Sequence, residues 1–129
     1  MSYQKEIGRI GEQLVADWLK TNGYIITKRN FSCGYGEIDI VAERPKMVVF
    51  VEVKTRKQNS LVAPKDAVSK SKQEKLAKTA KTFLNRAYMK NMPYRFDVAE
   101  VTYRIGEDEL PKYSLNYIKN AFFKDLSED

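Results

Sequence analysis

Hydrophobic and polar positions along the chain change period several times, and each change marks an element. From Gln4 to Asn22 the residues Ile7, Ile10, Gly11, Leu14, Val15, Trp18 and Leu19 recur at helical spacing, and Gly23 closes the run. This predicts a first helix with one buried stripe, Trp18 included. Tyr24 to Lys28 reads as a short strand, and Arg29 to Tyr35, with Cys33, Gly34 and Gly36, as a flexible loop. Glu37 to Ala42 then alternates, while Met47 to Val53 is nearly all Val, Phe and Met; both read as strands, joined by a polar turn over Glu43, Arg44, Pro45 and Lys46. Leu76, Ala80, Phe83, Leu84 and Ala87 return to helical spacing and predict a second helix from Asp66 to Met89. Tyr94 to Tyr103 is a further strand, Gly106 to Pro111 an acidic turn, and Tyr113, Leu115 and Tyr117 alternate as an edge strand. Ile118 to Leu126 forms a short apolar-faced segment that frays from Ser127. The order helix, strand, hairpin, helix, strand, strand implies an α/β fold, one domain over 1–129 with a mixed sheet flanked by helices.

The hairpin decides where function is sought. A turn with an even number of residues makes paired positions sum to 91 and sets Asp39 directly opposite Glu52, with Cβ atoms roughly 5 Å apart. Lys54, two residues on, shares that face by the period of two. An odd turn would slip the register by one and send the two acids to opposite faces. Two facing carboxylates repel, so either one takes up a proton or a cation sits between them. All-oxygen ligands on a rigid strand pair suit a hard ion, Mg²⁺ or Mn²⁺, that keeps several waters and accepts phosphate oxygens. With Lys54 beside the pair to orient water and offset developing charge, phosphodiester hydrolysis is the natural reaction.

Asp39 followed by Glu52, Val53 and Lys54 resembles the PD-(D/E)XK nuclease signature reduced to D, a gap and ExK, with Ile38 where the name has proline. More narrowly, the chain resembles the bacterial YraN family. The matching stretches are Gly8, Gly11, Glu12 and Ala16; Gly36 to Ile40; Phe50 to Arg56; Arg95 to Val98; and Asn120 to Phe122. The resemblance implies a restriction-endonuclease-like fold similar to archaeal Holliday junction resolvases, with catalytic Asp39, Glu52 and Lys54. It also implies a metal site formed by Asp39, Glu52 and the backbone carbonyl of Val53, with Glu12 of the first helix as an outer carboxylate. Asp97 is a rival carboxylate, ranked below these.

Composition narrows the choice. The 129 residues include no histidine, which removes Ser-His and Cys-His nucleophile pairs and most zinc sites. The single cysteine, Cys33, excludes an internal disulfide and has no activating partner in sequence. With no basic, apolar N-terminal signal, a cytoplasmic location is expected. The longest apolar run, Met47 to Val51, is too short to span a bilayer.

The net charge of +6 points to a polyanionic partner, nucleic acid or an anionic membrane. Lys65 to Lys90 holds eight Lys or Arg against two acids, a surplus equal to that of the whole chain. That charge reads either as a solvated helix face or as a surface, Lys70 and Lys72 included, that tracks a phosphate backbone; Arg56 and Lys57 read either as a solvated strand end or as a grip on a phosphate at the mouth of the site. Tyr88 and Tyr94 are candidates for base stacking or for the core. The basic helix lacks a large aromatic insertion face, which disfavours a membrane role. The expected partner is therefore nucleic acid, DNA foremost, bound by a metal-dependent endonuclease or resolvase-like enzyme. The second reading is a nucleic-acid-binding protein that keeps the fold without cutting. A resolvase would act as a two-fold homodimer.

Overall fold

The computed structural model describes residues 3–59 and 68–127. Helix α1 runs Tyr3–Thr21, strands β1, β2 and β3 run Ile25–Cys33, Gly36–Arg44 and Met47–Lys57, helix α2 runs Lys70–Arg86, and strands β4 and β5 run Tyr94–Ile105 and Pro111–Phe122. The strands form one sheet in the order β1-β2-β3-β4-β5. β3 and β4 are parallel and every other pair is antiparallel. A parallel step requires a crossover, and α2 supplies it.

The two helices cover opposite faces of the sheet. Val15, Ala16 and Leu19 of α1 pack with Ile40, Val49, Val51, Ala99 and Val101, and Trp18 joins them by stacking on Tyr117 at 4.4 Å. Leu76, Ala80, Phe83 and Leu84 of α2 pack with Ile38, Val41, Val48, Phe50, Phe96 and Val98. Both faces of β3 are thus dry along Val48 to Val51, which is why that strand reads as an unbroken apolar run.

Three expectations from the sequence are corrected. Arg29 to Tyr35 is not a loop: β1 continues to Cys33, and only Gly34 and Tyr35 turn the chain into β2. Its period is blurred because β1 is an edge strand, has a register shift between Ile26 and Lys28, and holds Asn30 in the left-handed region at φ 53°. The second helix begins later, at Lys70, capped by Ser69, whose hydroxyl accepts the Lys72 N–H at 3.2 Å. Of the expected polar loop Gln58 to Pro64 and the expected helix start at Asp66, residues 60–67 lie outside the described residues. β5 also extends past the alternating tyrosines into the segment expected to be separate.

Candidate active site

The β2–β3 turn consists of Pro45 and Lys46, with Arg44 paired to Met47, and the ladder continues through Ile40 opposite Val51. Every pair sums to 91, and the ladder ends at Ile40–Val51, one position before Asp39 and Glu52, which approach each other where the pairing stops. Asp39 Oδ2 accepts the Val53 N–H at 2.8 Å, and Asp39 and Glu52 are hydrogen-bonded to each other. β2 loses strict alternation here: Ile38 and Val41 face α2 while Ile40 and Ala42 face α1, with left-handed Asn30 on the adjoining strand. The backbone therefore turns at Asp39 and opens its carboxyl into a cavity of about 200 Å³ lined by Gly36, Glu37, Glu52, Lys72, Lys75 and Leu76.

Two lysines complete the cluster. Lys72 Nζ lies 2.8 Å from Glu52 Oε2. That approach is an ion pair in contact but off the direction of a good hydrogen bond, so the buried Oε2 has no well-aligned donor. Lys54 and Lys72 are within hydrogen-bonding reach of each other. Burial, then Glu52, pushes the Asp39 carboxyl up to about 8. Burial acts the same way on Glu52, but its hydrogen bond to Asp39 and the Lys72 ammonium in contact with it outweigh burial and hold Glu52 below the ordinary value. The pair thus shares one proton. Burial and the neighbouring Lys72 lower Lys54; Lys72 is buried too, yet Glu52 raises it.

Glu12, expected as an outer metal carboxylate, does not converge with Asp39 and Glu52, although α1 lies close to β3. A Cβ on Gly11 would fall 2.2 Å from Thr55 Oγ1. Glu12 pairs with Arg29 at 3.3 Å, and its charge helps raise Asp39. Val53 enters through its N–H to Asp39. Arg56 is half-buried in β3, Lys57 exposed at its end, and Lys70 exposed at the start of α2. Lys72, expected on the outward basic face, points inward to Glu52. Its position four residues before buried Leu76 was the available signal.

Asp97 is no part of this cluster. It faces the α1 side and is saturated by Arg95 Nε at 2.8 Å and Nη2 at 2.9 Å, the Tyr117 hydroxyl at 2.6 Å and the Asn120 N–H at 2.8 Å. Sequence reasoning undervalued Glu100. It pairs in register with Lys54, takes the Asn116 amide on Oε1 at 2.9 Å, and leaves a buried Oε2 without a hydrogen-bond partner among the described residues.

Asp39 and Glu52 are the side chains able to hold a hard cation. Among the described residues no three His, Cys, Asp or Glu side chains converge into a metal-binding group. A two-carboxylate donor set with one oxygen lacking an aligned donor nevertheless fits Mg²⁺ or Mn²⁺, which retain water and bind through one or two carboxylates plus phosphate.

A five-stranded mixed sheet between two helices, with two acids and a lysine on adjoining strands and a second lysine from the crossover helix, is an α/β domain of the restriction-endonuclease-like kind. The chain belongs to the uncharacterised protein family UPF0102, whose family model matches residues 11–101. A UPF0102 protein of Clostridium perfringens is 44% identical over 93% of this chain and 96% of its own length. Relatives from Caldicellulosiruptor saccharolyticus and Clostridium tetani are 42% and 41% identical, over 92% and 94% of this chain and 98% and 97% of their own lengths. No helix among the described residues is long and apolar enough to cross a membrane.

Proposed function

We propose that this protein is a metal-dependent endonuclease or resolvase-like enzyme that hydrolyses phosphodiester bonds in nucleic acid, DNA foremost, within the PD-(D/E)XK class. The observation that carries the reading is Asp39 set against Glu52 across β2 and β3, with two ammonium groups beside them. Asp39 and Glu52 would hold Mg²⁺ or Mn²⁺, with the Val53 backbone and Glu12 supporting them. When bound, the ion supplies Lewis acidity toward a phosphate oxygen.

The chain's own residues do the rest. Lys54, its charge disfavoured by burial, positions and deprotonates the attacking water more readily than an ordinary lysine. Lys72, its charge reinforced by Glu52, offsets negative charge developing on phosphorus. Arg56 and Lys57, further along β3, and Lys70, at the start of α2, would take the flanking phosphates of a bound strand. Symmetric cutting of a junction would require a two-fold homodimer.

The test is to incubate junction, flap, single-stranded and duplex DNA with Mn²⁺ or Mg²⁺. Cleavage of at least one substrate is expected, falling by more than about a hundredfold in Glu52→Ala, the scale of losing a charge stabiliser. Cleavage unchanged in that variant overturns the assignment.

One observation favours a second reading, nucleic-acid binding without turnover. Lys72 already sits on Glu52 and neutralises it, so the cluster is electrostatically tolerable without a metal. Calorimetry with Mn²⁺ separates the two, since only the first predicts a binding heat that Glu52→Ala abolishes.

A further inference from the structure

The β1–β2 turn sets an aromatic ring at the rim of the acid-lined cavity. Gly36, immediately after Tyr35, lines that cavity with Asp39 and Glu52. The turn rests on α2: a Cβ on Gly36 would meet Thr79 Oγ1 at 3.3 Å and Lys75 Cβ at 3.8 Å. Tyr35 is nonetheless 57% exposed, and Lys78 Nζ lies 5.6 Å from its ring centroid.

Lys72, Lys75 and Lys78 recur every three residues along one flank of α2 and so lie near one another on its surface. Lys72 is at Glu52, Lys75 lines the cavity and Lys78 is over the ring. At ~1.5 Å per residue, the first and last are about 9 Å apart along the helix. A track of ammonium groups therefore leads from the acid pair to a flat apolar surface that water covers poorly.

We propose that Tyr35 and Lys78 form a subsite for one unpaired nucleobase next to the phosphate addressed by Asp39 and Glu52. The substrate class is thereby a nucleic acid with a single-stranded segment at that phosphate. This rests on the nucleic-acid reading above and deepens it. Lysines alone would serve a duplex, whose phosphates are outside and whose bases are stacked on one another. An exposed ring instead offers its face to a base free of its neighbours, which it covers in any sequence, with the cation adding attraction. The packing of the turn on α2 holds the ring in place, so stacking on it orders few new groups.

The experiment is fluorescence anisotropy in EDTA, where cutting plays no part. The probes are a labelled single strand, a duplex with a single-stranded overhang and a blunt duplex, and circular dichroism confirms that each variant folds. Tyr35→Ala is expected to weaken binding of the single strand and the overhang about tenfold and to leave the blunt duplex within about twofold; Tyr35→Phe retains both. A 2-aminopurine in the single strand is expected to be quenched by the wild-type protein and by Tyr35→Phe but not by Tyr35→Ala. Equal loss on all three probes, or no loss on the single strand, overturns the subsite while leaving the nucleic-acid reading intact. Failure of the wild-type protein to bind any of the three overturns both.

Discussion

Asp39 and Asp97 lie on neighbouring parts of one sheet, yet their surroundings give them different roles. Asp97 receives four donors from Arg95, Tyr117 and Asn120 and is 1% exposed, so its work is structural. Removing it leaves the half-buried Arg95 guanidinium with the Tyr24 hydroxyl and strips the buried Tyr117 hydroxyl and Asn120 N–H of their acceptor. Asp97→Ala should cost about 3–5 kcal/mol in urea unfolding, the scale for breaking a buried pair.

Asp39 has one backbone donor and an acid facing it, and burial, then Glu52, pushes its carboxyl from the ordinary carboxylate range up to about 8. The folded, metal-free protein therefore keeps a proton that the unfolded chain gives up across that interval, so stability falls as pH rises from about 4 to about 8. Glu52, held low, is ionised in both states over most of that window and adds little slope. Urea midpoints in EDTA should decline with a slope of up to about 1.4 kcal/mol per pH unit, and Asp39→Asn should flatten it. By the same linkage, Mn²⁺ affinity should rise from pH 6 to pH 8 as the shared proton is displaced, which calorimetry at several pH values measures.

At the scale of elements, the β2–β3 hairpin was the most legible part of the chain. A run dry on both faces, an alternating partner and a short proline turn leave one register, which runs to Ile40 against Val51; the meeting of Asp39 and Glu52 just beyond it also needs the break in alternation at Asp39, which no local pattern encodes. β1 was not legible beyond Lys28, because an exposed edge strand with a shifted register and a left-handed Asn30 carries no clean period. Glu100 could be placed on one face with Phe96 and Val98, but its neighbour Lys54 depends on a parallel register that no local pattern encodes. The inward aim of Lys72 depends on the Ser69 cap that fixes the first turn of α2.

The Gly11 contact is a tertiary fact of the same kind. Gly11→Ala should push α1 off β3 and cost about 1–3 kcal/mol, the range for overpacking, while moving Glu12 away from Asp39. Urea unfolding reads the first effect, and a lowered pH midpoint of Asp39 in carbon-detected NMR the second.

Over the whole molecule, the positive charge is unevenly placed, and α2 with its flanks carries the excess. Lys75 and Lys78 lie between the acid pair and the turn ring, so they should hold phosphates as point charges. The double variant Lys75→Gln, Lys78→Gln should weaken binding to every nucleic acid tested and reduce the slope of log K against log salt by about 2. An unchanged slope would place the phosphate path elsewhere.

The central claim is that Asp39 and Glu52 together form a divalent-cation site. Anomalous diffraction from a crystal soaked in Mn²⁺ tests it most directly. The account predicts one strong peak bonded to an oxygen of each acid, with the Lys72 ammonium drawn off Glu52. A crystal with no peak between the two carboxylates, and Lys72 still seated on Glu52, would contradict it.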